Sequence, residues 1–262
     1  MTKKIIIANW KMNPSTSKEA EKWFTDITKS VARIKKTEIV VCAPFIYLDK
    51  LAKIRTSKVK LGAQDAFAGD IGPFTGEVSP EMLYNLGVRH VILGHSERRS
   101  PPTGGGETNE LINKKIKSAL ASGLSPIVCV GESERDLDHG YYKIVSTQIG
   151  ECLKGISKDS ISKIIIAYEP VWSISSTANR RDATPGDCRE MAVFIRKTLS
   201  DISSPAIASR VRIIYGGSAN ERSAEDFLKN GGVDGLLSGK ASLDPKKFYE
   251  MIMIAENIPV PY

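Results

Sequence analysis

The chain has 262 residues, 41% hydrophobic and 26% charged, with a net charge of +7; that is enough for one large α/β core or two small ones. Its basic residues run along the whole length among 30 acidic ones, not in the aromatic-studded basic stripe of a nucleic-acid binder, so the excess charge argues against nucleic acid and suits an anionic metabolite. Cys42, Cys129, Cys152 and Cys188 show no CxxC spacing and no histidine lies near them, which excludes the usual zinc motifs and points to a metal-free protein of the cytoplasm that needs no cofactor.

In chain order, Ile5-Ile6-Ile7 is the first strand candidate: the apolar run stops at Asn9, too short for a signal peptide and far from the ~20 residues that span a bilayer. Further β-branched runs follow at Ile39-Val40-Val41, Val59-Lys60-Leu61, His90 to Leu93, Ile127 to Val130, Ile164 to Ala167, Val211 to Ile214 and Val233 to Leu237. Most are continuous and not alternating, as in strands of a parallel sheet buried on both faces. Helical segments separate them. Thr184-Pro185-Gly186-Asp187 reads as an N-cap with proline in the first turn, ahead of Met191, Phe194, Ile195 and Leu199, and Ser223 with Asp226 predicts a second cap of this kind.

Eight strand-then-helix units without a linker predict a closed (β/α)8 barrel, with residues 1–262 as a single domain; a doubly wound open sheet is the alternative. In a barrel the chemistry sits on the loops after the strands. Those loops carry Asn9-Trp10-Lys11, Gly94-His95-Ser96-Glu97, Tyr168-Glu169-Pro170, Tyr215-Gly216-Gly217-Ser218 and Ser238-Gly239-Lys240. A carboxylate base, an imidazole, an ammonium and amide-rich turns suit proton abstraction beside a carbonyl, with an anion gripped nearby.

These segments, together with Phe74-Thr75-Gly76-Glu77 and Ala183-Thr184-Pro185, resemble the triosephosphate isomerase family from end to end. The resemblance implies a triose phosphate substrate, Glu169 as the base that shuttles the proton, His95 as the electrophile, Lys11 and Asn9 as further donors to the oxyanion, and Glu97 as the partner of Lys11. It also implies phosphate binding by the backbone around Ser175, Ser218, Gly239 and Lys240, under a lid running from Pro170 to Pro185, and a homodimer docked through the loop at Thr75. Cys129 is expected to pack and not to react, and His90 and His139 to be structural.

The chain departs from the family at three places. The lid tip reads Ser175-Ser176-Thr177-Ala178-Asn179-Arg180-Arg181-Asp182 without the family's glycines and lysine, Ser100 to Gly106 is longer and lacks an aromatic, and Lys240 replaces a glycine at the phosphate. The Lys240 ammonium either turns inward to the phosphate or leaves only its backbone N–H there; the missing lid lysine favours inward. Two other functions stay open: isomerisation of a different small sugar phosphate such as a tetrulose phosphate, and a catalytically dead, phosphate-binding barrel.

Overall fold

A computed structural model describes residues 3–174 and 181–259. Eight strands, β1 (Lys4–Asn9), β2 (Thr37–Ala43), β3 (Val59–Ala63), β4 (Val88–Leu93), β5 (Ser125–Val130), β6 (Ile165–Tyr168), β7 (Arg212–Tyr215) and β8 (Gly235–Ser238), form a closed barrel in sequence order. Neighbours pair in parallel throughout, and β8 returns to β1 with Ile5 opposite Gly235. That closure removes the open doubly wound sheet. The sequence reading starts three strands slightly early, because Ile164, Val211 and Val233 are buried but precede β6, β7 and β8.

The continuous apolar runs are explained by two cores that share the strands. Ile5, Ile7, Val40, Cys42, Ile92, Ile127, Cys129, Ile165, Ala167, Ile214 and Leu237 fill the barrel interior. The alternate residues, such as Ile6, Val41, Val128 and Ile166, face the surrounding helices in the larger core. A strand with both faces buried has no polar face to show. Cys129 is one of the interior packing residues, and burial together with the nearby Glu169 pushes its thiol well above the usual range.

Helices cover the barrel, among them Ser17–Ser30, Phe45–Ile54, Asn109–Ala121, Gly140–Cys152, Pro185–Ile202 and Pro245–Asn257. Thr184 caps Pro185–Ile202 with a full capping box: its hydroxyl accepts the Asp187 N–H at 3.1 Å and the Asp187 carboxylate accepts the Thr184 N–H at 2.8 Å. Such caps are worth about 1 kcal/mol. The expected cap at Ser223 does not form, since Ser223 makes no side-chain bond to helix Ala224–Asn230. Asn220 turns the chain there instead, its Oδ1 accepting the N–H groups of Arg222 and Ser223 at 2.9 and 3.2 Å.

Among the described residues no helix is long and apolar enough to cross a membrane. The end of the barrel at the strand N-termini is closed by charge. Glu38 there meets Lys60 at 2.7 Å, Arg212 at 2.6 Å and His90 Nε2 at 3.4 Å. His139, also read as structural, bonds the Tyr141 hydroxyl through Nδ1 at 2.8 Å.

Candidate active site

The inward period of two carries past the apolar layer at the other end of the barrel and delivers polar residues to the open mouth. Ile5 and Ile7 lead to Asn9 on β1, Ile165 and Ala167 to Glu169 after β6, Ile214 to Gly216 and Leu237 to Gly239. Lys11 adopts φ 50°, an unusual left-handed backbone for a lysine that costs on the order of 1–3 kcal/mol. Its surroundings hold it there: its N–H donates to Asn9 Oδ1 at 3.0 Å, and its carbonyl accepts from Gln64 Nε2 at 2.9 Å. The ammonium then reaches Glu97 Oε1 at 2.6 Å.

His95 ends the turn after β4 and starts the short helix Ser96–Arg99. The Glu97 N–H donates to its Nδ1 at 3.2 Å, so Nδ1 carries no hydrogen and the ring hydrogen of that tautomer is on Nε2. Nε2 lies 3.3 Å from Glu169 Oε1, although the ring N–H is not aligned for a hydrogen bond and Oε1 has no hydrogen-bond partner. The other oxygen, Oε2, accepts the Ser96 N–H at 3.1 Å. Glu169 is 2% exposed and His95 7%, which places carboxylate and imidazole in a site that largely excludes water. Low local dielectric strengthens their effect on developing charge.

Across the mouth, the turns after β7 and β8 face a cavity of about 670 Å³ lined by Gly217, Ser218, Gly239 and Lys240, whose other charged lining residues are Glu221, Arg222, Asp244 and Lys247. Gly239 connects this side to the reaction centre, since a Cβ there would lie 3.4 Å from Lys11 Cε. Lys240 is exposed. The Ser218 hydroxyl donates to the Ser173 carbonyl at 2.5 Å, tying this turn to the first part of the segment after Glu169. Ser175 and the rest of the lid tip through Arg180 lie outside the described residues.

Both ends of that segment are anchored. Trp172 donates its indole N–H to Glu132 Oε1 at 2.9 Å, an oxygen shared with the Tyr168 hydroxyl at 2.8 Å. Arg181 lies over the Trp172 ring at 4.4 Å and gives its N–H to the Trp172 carbonyl, while Ala183 N–H meets Ser173 Oγ at 3.0 Å. The long Ser100 to Gly106 segment is likewise tied at its end: Glu107 returns to Arg98 at 2.5 Å and to Lys115 at 2.7 Å.

Several residues of the site went unread in the sequence. Gln64, just past β3, was open to the strand-end rule. Glu132, Arg99 and Gln148 were not, because they act on groups distant in the chain: Glu132 on Tyr168 and Trp172, Arg99 on the Cys129 carbonyl and Gln148 on Gly131. Among the described residues no three His, Cys, Asp or Glu side chains gather as metal ligands would.

A parallel barrel whose mouth joins a buried carboxylate, an Nε2–H imidazole and a lysine to amide-rich turns has the form of a (β/α)8-barrel enzyme, with groups suited to proton transfer beside a carbonyl. Comparison with known proteins is more specific. The family model "Triosephosphate isomerase" matches residues 4–255. Proteins named triosephosphate isomerase are similar along almost the whole chain: that of Dictyoglomus thermophilum is 41% identical over 254 residues, 96% of this chain and 99% of its own. That of Aquifex aeolicus is 42% identical over 252 residues, covering 95% and 98%. The chain belongs to the triosephosphate isomerase family.

Proposed function

We propose that this chain interconverts dihydroxyacetone phosphate and glyceraldehyde 3-phosphate through an enediolate. Glu169 takes a proton from C1 of the ketose and returns it to C2, while His95 Nε2–H and the Lys11 ammonium donate to the oxygens on which charge develops. Asn9 holds the Lys11 backbone, Glu97 orients its ammonium, and the N–H groups around Ser218, Gly239 and Lys240, with that of Ser175 from the lid, take the phosphate. Each preorganised donor of this type is worth about 10²–10³ in turnover.

The observation that carries the reading is the 3.3 Å approach of His95 Nε2 to Glu169 Oε1 at the barrel mouth. A base and a donor gathered at one buried point of the mouth suit a substrate whose reacting carbon and carbonyl oxygen meet both at once, and a phosphate-binding protein without activity has no physical use for that pairing. A coupled assay with glyceraldehyde 3-phosphate on the purified protein tests it. Turnover is expected, and a four-carbon tetrulose phosphate measured alongside is expected to be the poorer substrate; no turnover of the triose would refute the assignment.

The working form is a homodimer. Met12, Ile46, Ile71, Phe74 and Met82 are 94%, 79%, 69%, 47% and 53% exposed, all on or after the loops that follow β1, β2 and β3, and so wide an apolar surface is costly to leave in water. Phe74 packs at a tilt against Phe67 with ring centroids 4.4 Å apart, shaping the Thr75 loop. Sedimentation at low micromolar concentration is expected to give a dimer. The protein works in the cytoplasm and binds no nucleic acid: several of its surface lysines pair with a nearby acid, as in Lys22–Asp26, Lys197–Asp201 and Lys229–Glu225.

A further inference from the structure

Strand β5 outruns its neighbour β4. The ladder between them ends with Leu93 opposite Val128, because the chain turns off at Gly94, with φ 68°, to bring His95 to the mouth. On the other side the pairing with β6 continues: Glu169 N–H donates to the Val130 carbonyl at 2.8 Å and Val171 N–H to the Glu132 carbonyl at 2.9 Å. Gly131, between those two acceptors, therefore presents its N–H and C=O toward the place that β4 has vacated. Unpaired, they would cost as much as lost hydrogen bonds.

A side chain from helix Gly140–Cys152 fills that place. Gln148 Oε1 accepts the Gly131 N–H at 2.8 Å and Gln148 Nε2 donates to the Gly131 carbonyl at 3.0 Å, the same donor-and-acceptor pair a strand would offer. Arg99 does the like one step earlier, Nη2 donating to the Cys129 carbonyl at 3.1 Å. Gly131 in turn backs the main chain of Glu169 so closely that a Cβ on it would lie 1.8 Å from the Glu169 carbonyl oxygen. Gln148 and Glu169 also line one cavity of about 220 Å³ with Ser96 and Cys129, so there is room for the base to shift if its backing loosens.

We propose that Gln148 is a positioning residue for the reaction: as a surrogate strand it fixes Gly131, and through Gly131 the backbone of Glu169. The role rests on the isomerase reading of Glu169. The Gln148 amide bonds to the Gly131 backbone and not to the turns assigned to the phosphate, so its loss acts on the geometry of proton transfer and leaves phosphate binding alone. A base displaced by an ångström or less loses on the order of 10–10² in rate.

Two variants test this. Gln148→Leu removes both bonds and is expected to lower kcat about tenfold or more with KM within about twofold of wild type. Gln148→Glu keeps the acceptor but, ionised, sets a second acceptor against the Gly131 carbonyl; protonated, it reproduces both bonds. Its kcat relative to wild type is therefore expected to recover as pH falls from about 8 toward the ordinary glutamate range near 4.3, a recovery that Gln148→Leu cannot show. If Gln148→Leu does not fold, the pH profile of Gln148→Glu decides alone. A kcat within about twofold of wild type at every pH, or a loss in Gln148→Glu that does not change with pH, overturns the proposal. Wild-type turnover in the same assay tests the isomerase reading separately. Faster amide exchange at Gly131 in either variant, expected whatever the substrate, tests the surrogate-strand contact, and unchanged exchange overturns it.

Discussion

Glu169 Oε2 accepts the main-chain N–H of Ser96 at 3.1 Å, so the carboxylate assigned as base rests on the turn that carries the imidazole assigned as electrophile. The two groups share one support, and a change on the β4 turn is felt by the residue after β6.

Glu169→Ala removes the proposed base without touching the amide turns after β7 and β8. Turnover is expected to fall about 10²–10⁴-fold, with cooperative unfolding and inorganic phosphate binding retained. A variant keeping more than about a tenth of wild-type kcat would show that another group takes the proton.

Gly216→Ala tests how tightly the base is confined. A Cβ at this position would sit 2.8 Å from Glu169 Cγ, closer than side-chain carbons pack, and in ordinary contact 3.4 Å from the Tyr168 carbonyl oxygen. Glu169 must move, and kcat is expected to drop about tenfold or more, with a stability loss of about 1–3 kcal/mol from overpacking. Steady-state kinetics and a thermal melt together separate the two effects.

The charged layer at the opposite end makes stability depend on pH. Burial pushes His90 below imidazole's usual 6.5, outweighing the pull of its Glu38 neighbour and aided by Lys60 and Arg212. The unfolded chain thus binds the proton more readily, and the His90 contribution, full above pH 6.5, is lost as pH falls below it. Glu38 titrates later. Burial works against its charge, but bonds from His90, Arg212 and Lys60 hold it far below 4.5, so its contribution is lost only as pH drops below that value. Melting temperatures from pH 7 to 5 are expected to fall for wild type and to flatten in His90→Gln. Equal slopes would exclude His90.

Lys240→Gly restores the residue that the family resemblance leads one to expect beside the phosphate. Lys240 is exposed but lines the cavity that holds Ser218 and Gly239, and a charge-assisted bond to phosphate is worth about 1.5–3 kcal/mol before solvent screening. KM is expected to rise by up to about tenfold at low salt and to approach wild type at high salt. Equal KM values at both salts would leave only the Lys240 backbone N–H at the phosphate.

The eight strands and their order were legible in runs such as Ile5-Ile6-Ile7 and Ile127 to Val130, because a strand buried on both faces writes its burial directly into the sequence. So were Asn9, His95, Glu169 and Gly239, because strand ends are local features and a barrel gathers them at one mouth. Thr184 was legible as a cap for the same reason: its partner Asp187 is three residues away. Ser223 carried the same local sign, yet Asn220 turns the chain there instead, since two residues competed for one turn and only the folded backbone selects between them.

What tertiary structure alone decided is set by contacts between residues far apart in the chain. The bonds of Glu132 to the Tyr168 hydroxyl at 2.8 Å and the Trp172 indole at 2.9 Å require the turn after β5 and the segment after β6 to be oriented together. Gln148 sits in the interior of an ordinary helix and signals nothing; its role exists only because β4 turns off before β5 ends. Local propensity and periodicity name the elements and the chemistry at their ends, whereas the groups that hold that chemistry in place answer backbone hydrogen-bonding needs created by the closure of the barrel itself.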